Sequence, residues 1–178
     1  MNVTRTKNLA GYDLPAIDWE PVRDTLASDI TQAPDSGGPN RHTAWLTTIN
    51  PDGSPHPTPV GFVQLDGVWY FTSGPGTRKS NNIAADPRCV VSVATHPFDL
   101  VIEGSAARIT DADELRSVAE QYVRQGWPAQ VDGDAFTAEY SAPSAGPPPW
   151  HVYRVTPTTV YAFGTAEPAG ATRFDLTR

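Results

Sequence analysis

Arg78 and Lys79 stand side by side at the end of the run Phe71-Thr72-Ser73-Gly74-Pro75-Gly76-Thr77. Their neighbours are hydroxyls and glycines, and the chain around them is acidic, with a formal net charge of -7. A helix start leaves backbone N–H groups unpaired and carries a partial positive charge. Thr77 is placed to cap such a helix. Gly74 and Gly76 allow a close backbone approach. Arg78 offers a planar fork and Lys79 a point charge. Together these residues suit an anion, such as the phosphate of a cofactor. On local grounds alone, an exposed turn with two hydrated cations explains the same residues at least as well.

The remaining titratable groups form no catalytic pattern. His42, His56, His96 and His151 are scattered, with no nucleophile in register. His56 is set apart because it opens a proline-rich strand beside the cationic turn. The pairs Asp111/Asp113 and Asp132/Asp134 read as helix capping and loop solvation. Trp150 follows three prolines that stiffen its position, which suits stacking on a planar ring. Cys89 is the single cysteine, so the chain forms no internal disulfide, and no zinc spacing is present. No metal site and no catalytic side chain is assigned.

These residues must be carried by something. The chain has 178 residues, 39% of them hydrophobic and only 19% charged, with 18 prolines. One domain is expected over 41–165, with an extension at 1–40 and a tail at 166–178. The acidic balance argues against nucleic acid and against an anionic membrane surface. No apolar run reaches spanning length. The opening residues do not form a signal peptide, so a cytoplasmic location is expected. A short helix is expected from Asp18 to about Ile30, with Trp19, Val22, Leu26 and Ile30 at helical spacing. The stretch 33–40 reads as a linker.

Strands follow. Residues 43–49 are one, NPDG at 50–53 is a turn, and HPTPVGFVQL at 56–65 is the next. Prolines there call for an edge, a bulge or a neighbouring ligand. Asp66-Gly67 marks a hairpin into 68–72. Further strands are expected at 88–95, 100–109, 150–155 and 158–163. Between them, Thr110 to Asp113 starts a helix whose buried face holds Leu115, Val118, Ala119, Tyr122 and Val123, ended by Gly126. The tail is expected to be loose or to serve in docking. About six closely spaced strands and one main helix favour a mainly β barrel or sandwich.

The order strand, NPDG, strand, DG, then VWYFTSGPGTRKSNNIAADPRCVVSV resembles the pyridoxamine 5′-phosphate oxidase-like superfamily. A second block, PWHVYRVTPTTVYAFG at 149–164, is similar to that family's closing segment. The resemblance implies a six-stranded antiparallel split β-barrel of the FMN-binding kind, with flanking helices. It implies a homodimer with the cofactor at the interface. It also implies that Thr77, Arg78 and Lys79 grip the cofactor phosphate, with Thr72 and Ser73 in contact. His56, Thr58, Pro59 and Val60 would run beside the ring, and Trp150 and Phe163 would cover it or wall a small-molecule substrate pocket. The family's true oxidases carry an Arg and a Lys where this chain has HPTPVG, and an Arg-x-His near the end, where Arg173 is a weak match. These departures argue against vitamin B6 oxidation. The uncharged second strand is more similar to flavin- and deazaflavin-dependent reductases. Coenzyme F420 is therefore the expected cofactor, with FMN as the alternative. A non-catalytic flavin-, deazaflavin- or haem-binding protein is the reading from another class.

Overall fold

The computed structural model describes residues 1–11, 13–28, 43–142, 144–166 and 169–177. Among them, ten strands and three helices run in the order β1 (Val3–Asn8), α1 (Trp19–Ala27), β2 (Thr43–Ile49), β3 (Pro55–Leu65), β4 (Val68–Ser73), α2 (Arg78–Ala85), β5 (Arg88–Ala94), β6 (Phe98–Ile109), α3 (Ala112–Arg124), β7 (Gln130–Asp132), β8 (Ala135–Thr137), β9 (His151–Gly164) and β10 (Ala171–Leu176). The expected linker at 33–40, Ile30 and His42 lie outside the described residues.

Six strands close the expected antiparallel barrel in the order β9-β4-β3-β2-β5-β6, and β6 returns to β9. Closure follows from alternation. Leu46, Phe62, Trp69, Phe71, Val91, Ile102 and Val155 are all buried in one core cluster. Phe71 stacks on Tyr153 at 5.1 Å between centroids, and Phe62 meets Phe71 edge-on at 5.6 Å. Each such side chain contributes about 1.5–3 kcal/mol on burial. A second cluster lies outside the barrel, where α3 lays Leu115, Val118, Ala119 and Tyr122 over Val63, Tyr70 and Val152. Val123, expected on that face, is exposed. Asp111, not Thr110, caps α3 by accepting from the Asp113 and Glu114 N–H groups.

Strand β9 was expected as two pieces broken at Pro157 and is instead one strand of 14 residues. Its pairing with β6 steps from Glu103↔Thr159 to Gly104↔Pro157, so Thr158 is the extra residue of a bulge. Gly104 permits the bulge, because a Cβ there would overlap the Thr156 carbonyl. The other edge of β9 is shared. Its first half pairs with β4 and its second half with β10.

The tail, expected to be loose or to serve in docking, is strand β10, with Thr172, Phe174 and Leu176 buried at alternate positions. Strand β1, within the expected extension at 1–40, pairs with β10. Helix α1 plugs one barrel end with Val22 and Leu26, and the Trp69 indole N–H donates to the Leu26 carbonyl.

Strand β3 shows how its prolines are tolerated. It pairs with β2 at every position from Pro55 to Gly61, but with β4 only from Phe62 to Leu65. Among the described residues each half is therefore paired on one side, and the proline-rich half is open on its β4 side.

Candidate functional site

The junction between β4 and α2 is built from three hydroxyls. Thr77 is the N-cap of α2, in extended conformation, and accepts from the Ser80 N–H. Ser73 Oγ and Thr77 Oγ1 lie 2.7 Å apart, and Thr77 Oγ1 donates to Ser80 Oγ. Ser80 Oγ is 2.9 Å from both Ser73 Oγ and the Gly74 carbonyl. These hydroxyls satisfy one another, so Thr77 fixes the helix start and is not a free donor. The Asn82 amide ties α2 to β2 through Thr48 Oγ1 and Asn50 Oδ1. The junction is thereby rigid, and it sets where the next two side chains point.

Those side chains diverge. Arg78 is exposed. Lys79 is half-buried and turns into a cavity, where desolvation pulls its pKa below the ordinary value of 10.5. Arg23, Arg88, Arg108, Arg116, Arg154 and Arg173 each pair with a carboxylate. Lys79 has no such partner among the described residues; Arg78 makes no ion pair there, but, after the hydrogen bonds from Ser54, its charge helps to hold the Asp52 carboxyl below its ordinary range. The helix start beneath them adds its own partial positive charge.

The cavity has a volume of about 300 Å3. Of the residues expected from sequence, Pro59, Val60, Thr72, Ser73, Lys79 and Trp150 line it. Thr77 and Arg78 lie at the junction behind it. His56 and Thr58 lie further along β3, off the wall. Phe163 is well away, on the outer face of the sheet at 39% exposure. Trp150 is 2% exposed and donates its indole N–H to the Ala145 carbonyl, so it is a fixed wall.

Sequence reasoning missed the opposite wall. Tyr122, Gln125 and Trp127 come from the end of α3, and Ser141, Ser144 and Ala145 from the loop after β8. A reciprocal clasp holds this loop: the Trp127 indole donates to the Tyr140 carbonyl and the Tyr140 hydroxyl to the Gly126 carbonyl, both at 2.7 Å. Trp127 also packs on Trp150 at 5.6 Å. The available signal was a pair of aromatics, Trp127 and Tyr140, within a loop otherwise rich in Ala, Ser and Pro.

The donor set suits a planar ring bearing one anionic group. Aromatic walls offer stacking surface, and Lys79 lacks a counter-ion. The volume is at the lower end of the ~300–1,000 Å3 of small-molecule sites, which fits a ring held inside with its substituent reaching outward. Thr58 Oγ1 is a buried hydroxyl with no hydrogen-bond partner.

No described residue on the cavity wall is a His, Asp, Glu or Cys. Burial raises the Tyr122 phenol well above its ordinary range and pushes the Cys89 thiol up to about 12, so neither exchanges protons near neutrality. His151 faces Ser73 across the ladder, and burial, then Arg108, lowers its pKa. Asp111 is occupied in capping, Asp113 with Arg116, and Asp134 with Arg108. Arg173, the weak match to a substrate-phosphate residue, pairs with Asp175 and lies over the Tyr161 ring. Among the described residues no group of three or more His, Cys, Asp or Glu is placed to hold a metal. No helix is long and apolar enough to cross a membrane.

Residues 33–164 match a family model described as pyridoxamine 5′-phosphate oxidase. Among solved structures, a conserved hypothetical protein of Mycobacterium tuberculosis aligns with a TM-score of 0.59 at 17% identity, over 87% of this chain and 89% of its own. A pyridoxamine 5′-phosphate oxidase-related, FMN-binding protein of Nostoc punctiforme aligns at 0.54 and 16%, over 76% of this chain and 82% of its own. A heme-binding protein of Mycobacterium smegmatis aligns at 0.53 and 17%, over 74% of this chain and 52% of its own. At these identities the likeness is one of fold. Among curated proteins, none matches this sequence.

Proposed function

We propose that this chain, which belongs to the pyridoxamine 5′-phosphate oxidase family, is an F420-dependent oxidoreductase acting on a small organic substrate, with FMN as the alternative cofactor. The observation that carries this reading is Lys79: a half-buried cation without a counter-ion, facing an aromatic-walled cavity on that family's barrel. Arg78 and the start of α2 add charge beside it. Strand β3 offers no cation of its own at HPTPVG, so these two side chains would carry the phosphate's charge. When bound, such a cofactor supplies hydride chemistry, and the protein supplies position and electrostatics. Pro59, Val60 and Trp150 would flank the ring. Ser73 and Thr77 would act by holding the helix start in place. With no His, Asp, Glu or Cys on the described wall, the proton would come from solvent or from the substrate.

A cytoplasmic homodimer is part of the proposal. Trp45 is 52% exposed on the outer face of β2, opposite Pro59, and exposed Pro55 and Pro57 continue the same face. An apolar surface of this kind suits a second copy. Pro59 belongs both to this face and to the cavity wall, so the partner would cover the cavity mouth.

The test is a titration with F420 and with FMN, followed by quenching of cofactor fluorescence, with the mass in solution measured alongside. Binding of neither cofactor defeats the proposal. Binding of FMN alone moves it to the alternative. Tight binding with no hydride transfer to any of a panel of conjugated acceptors favours a non-catalytic carrier.

A further inference from the structure

The open edge of β3 has an unusual chemistry. Strand β2 pairs with β3 without interruption from Thr43↔Gly61 to Ile49↔Pro55. In an antiparallel ladder the N–H and C=O of one residue face the same edge, and successive residues alternate. The hairpin fixes which residues face which way. Asp66 and Gly67 both have positive φ, as a two-residue turn of this type requires, and it closes on the hydrogen-bonded pair Leu65↔Val68. Odd-numbered residues of β3 therefore face the β4 side, and the register shows no shift between Pro55 and Leu65.

Pro55, Pro57 and Pro59 share that parity. Proline has no N–H. Over these three positions the edge away from β2 shows carbonyl oxygens and no donor at all. Strand β4 begins its pairing at Phe62 and does not reach them. The acceptors recur every second residue, roughly 7 Å apart. This edge runs into the cavity, since Pro59 and Gly61 both line it. The Gly61 carbonyl already accepts from the Tyr122 hydroxyl. The Pro59 carbonyl is the next acceptor along the same edge.

We propose that this donor-free edge selects the ring ligand by an N–H group, with the Pro59 carbonyl as the acceptor that reads it. The proposal rests on the flavin or deazaflavin reading above, and it names the part of the ring that faces β3. Both ring systems carry an imide N–H between two carbonyls. A carbonyl of the ring placed against the Pro59 carbonyl would set acceptor against acceptor. The imide N–H placed there satisfies both groups. The same lack of donors stops an extended peptide from adding to this edge, which keeps it free for a small molecule.

The test uses whichever of FMN and F420 binds the wild-type protein, together with the same cofactor methylated at the imide nitrogen. Leaving the Pro59 carbonyl unsatisfied should weaken binding by about 5- to 150-fold. Equal affinity for the methylated and unmethylated cofactors would overturn the inference while leaving the cofactor reading intact. Failure of both natural cofactors to bind overturns the cofactor reading and this inference with it. A second measurement removes the steric effect of the methyl group. In an alkaline absorbance titration, the bound cofactor should keep its imide proton at a pH where half of the free cofactor has lost it. An imide that ionises at the same pH bound and free also refutes the assignment.

Discussion

Replacing Lys79 by Met tests the site without disturbing the barrel. The side chains are similar in length, and Lys79 makes no ion pair that the change would break. Burial lowers the pKa of Lys79, so the folded state disfavours its charged form. The sign follows: the charge costs stability at every pH below the folded pKa, and the cost disappears as pH rises from that value towards 10.5. Lys79→Met should therefore melt at a higher temperature than wild type in the absence of ligand. With cofactor the order should change. One charge-assisted hydrogen bond contributes about 1.5–3 kcal/mol, or about 10- to 150-fold in affinity. At a cofactor concentration about 100 times the wild-type Kd, wild type gains about 2.7 kcal/mol. That is a shift of about 5–11 °C for a chain of this size. At the same concentration the variant should gain only about 0.3–1.4 kcal/mol, at most about half the wild-type shift. Thermal melts with and without F420 or FMN read both effects. A variant with the full cofactor-induced shift would refute the phosphate role. A variant that melts lower without ligand would refute the desolvation argument.

Thr58→Val removes a buried hydroxyl that has no partner, and it should raise stability by roughly 1 kcal/mol in urea denaturation. Gly104→Ala forces a Cβ against the Thr156 carbonyl at the β6–β9 bulge. It should cost about 1–3 kcal/mol, seen as a lower urea midpoint at unchanged slope. Cys89 is buried and its thiol is pushed up to about 12. The native protein should not react with a thiol reagent at about pH 8, whereas the unfolded chain should react fully.

The hairpin turns were legible because their information is local. Asn50 to Gly53 and Asp66-Gly67 carry their own geometry, and the strands on either side followed. Strand β9 was not, because Pro157 reads as a break until its partner is known. What rescues it is Gly104, more than fifty residues earlier and on another strand. The tail had a period-two pattern at Thr172, Phe174 and Leu176, but strand addition depends on a free edge, which the second half of β9 supplies. At the site, sequence identified Arg78 and Lys79 as a pair. Which of them enters the cavity depends on how the Thr77 cap orients α2, and that is set by hydroxyl contacts with Ser73 and Ser80. The Tyr122 and Trp127 wall depends on α3 packing across β3, a contact between segments that carry no shared pattern.

The pairing of β1 with β10 also constrains the order of assembly. Asn8 lies opposite Thr172, and Val3 opposite Leu176. At ~5–20 residues per second, synthesis takes roughly 10–30 s to pass from one strand to the other. Strand β1 is thus made well before its partner, and until then its backbone is an unpaired edge. Exposed cations blunt such edges. Arg5 and Lys7, both exposed in the finished sheet, give this strand the charge to remain soluble until its partner is made.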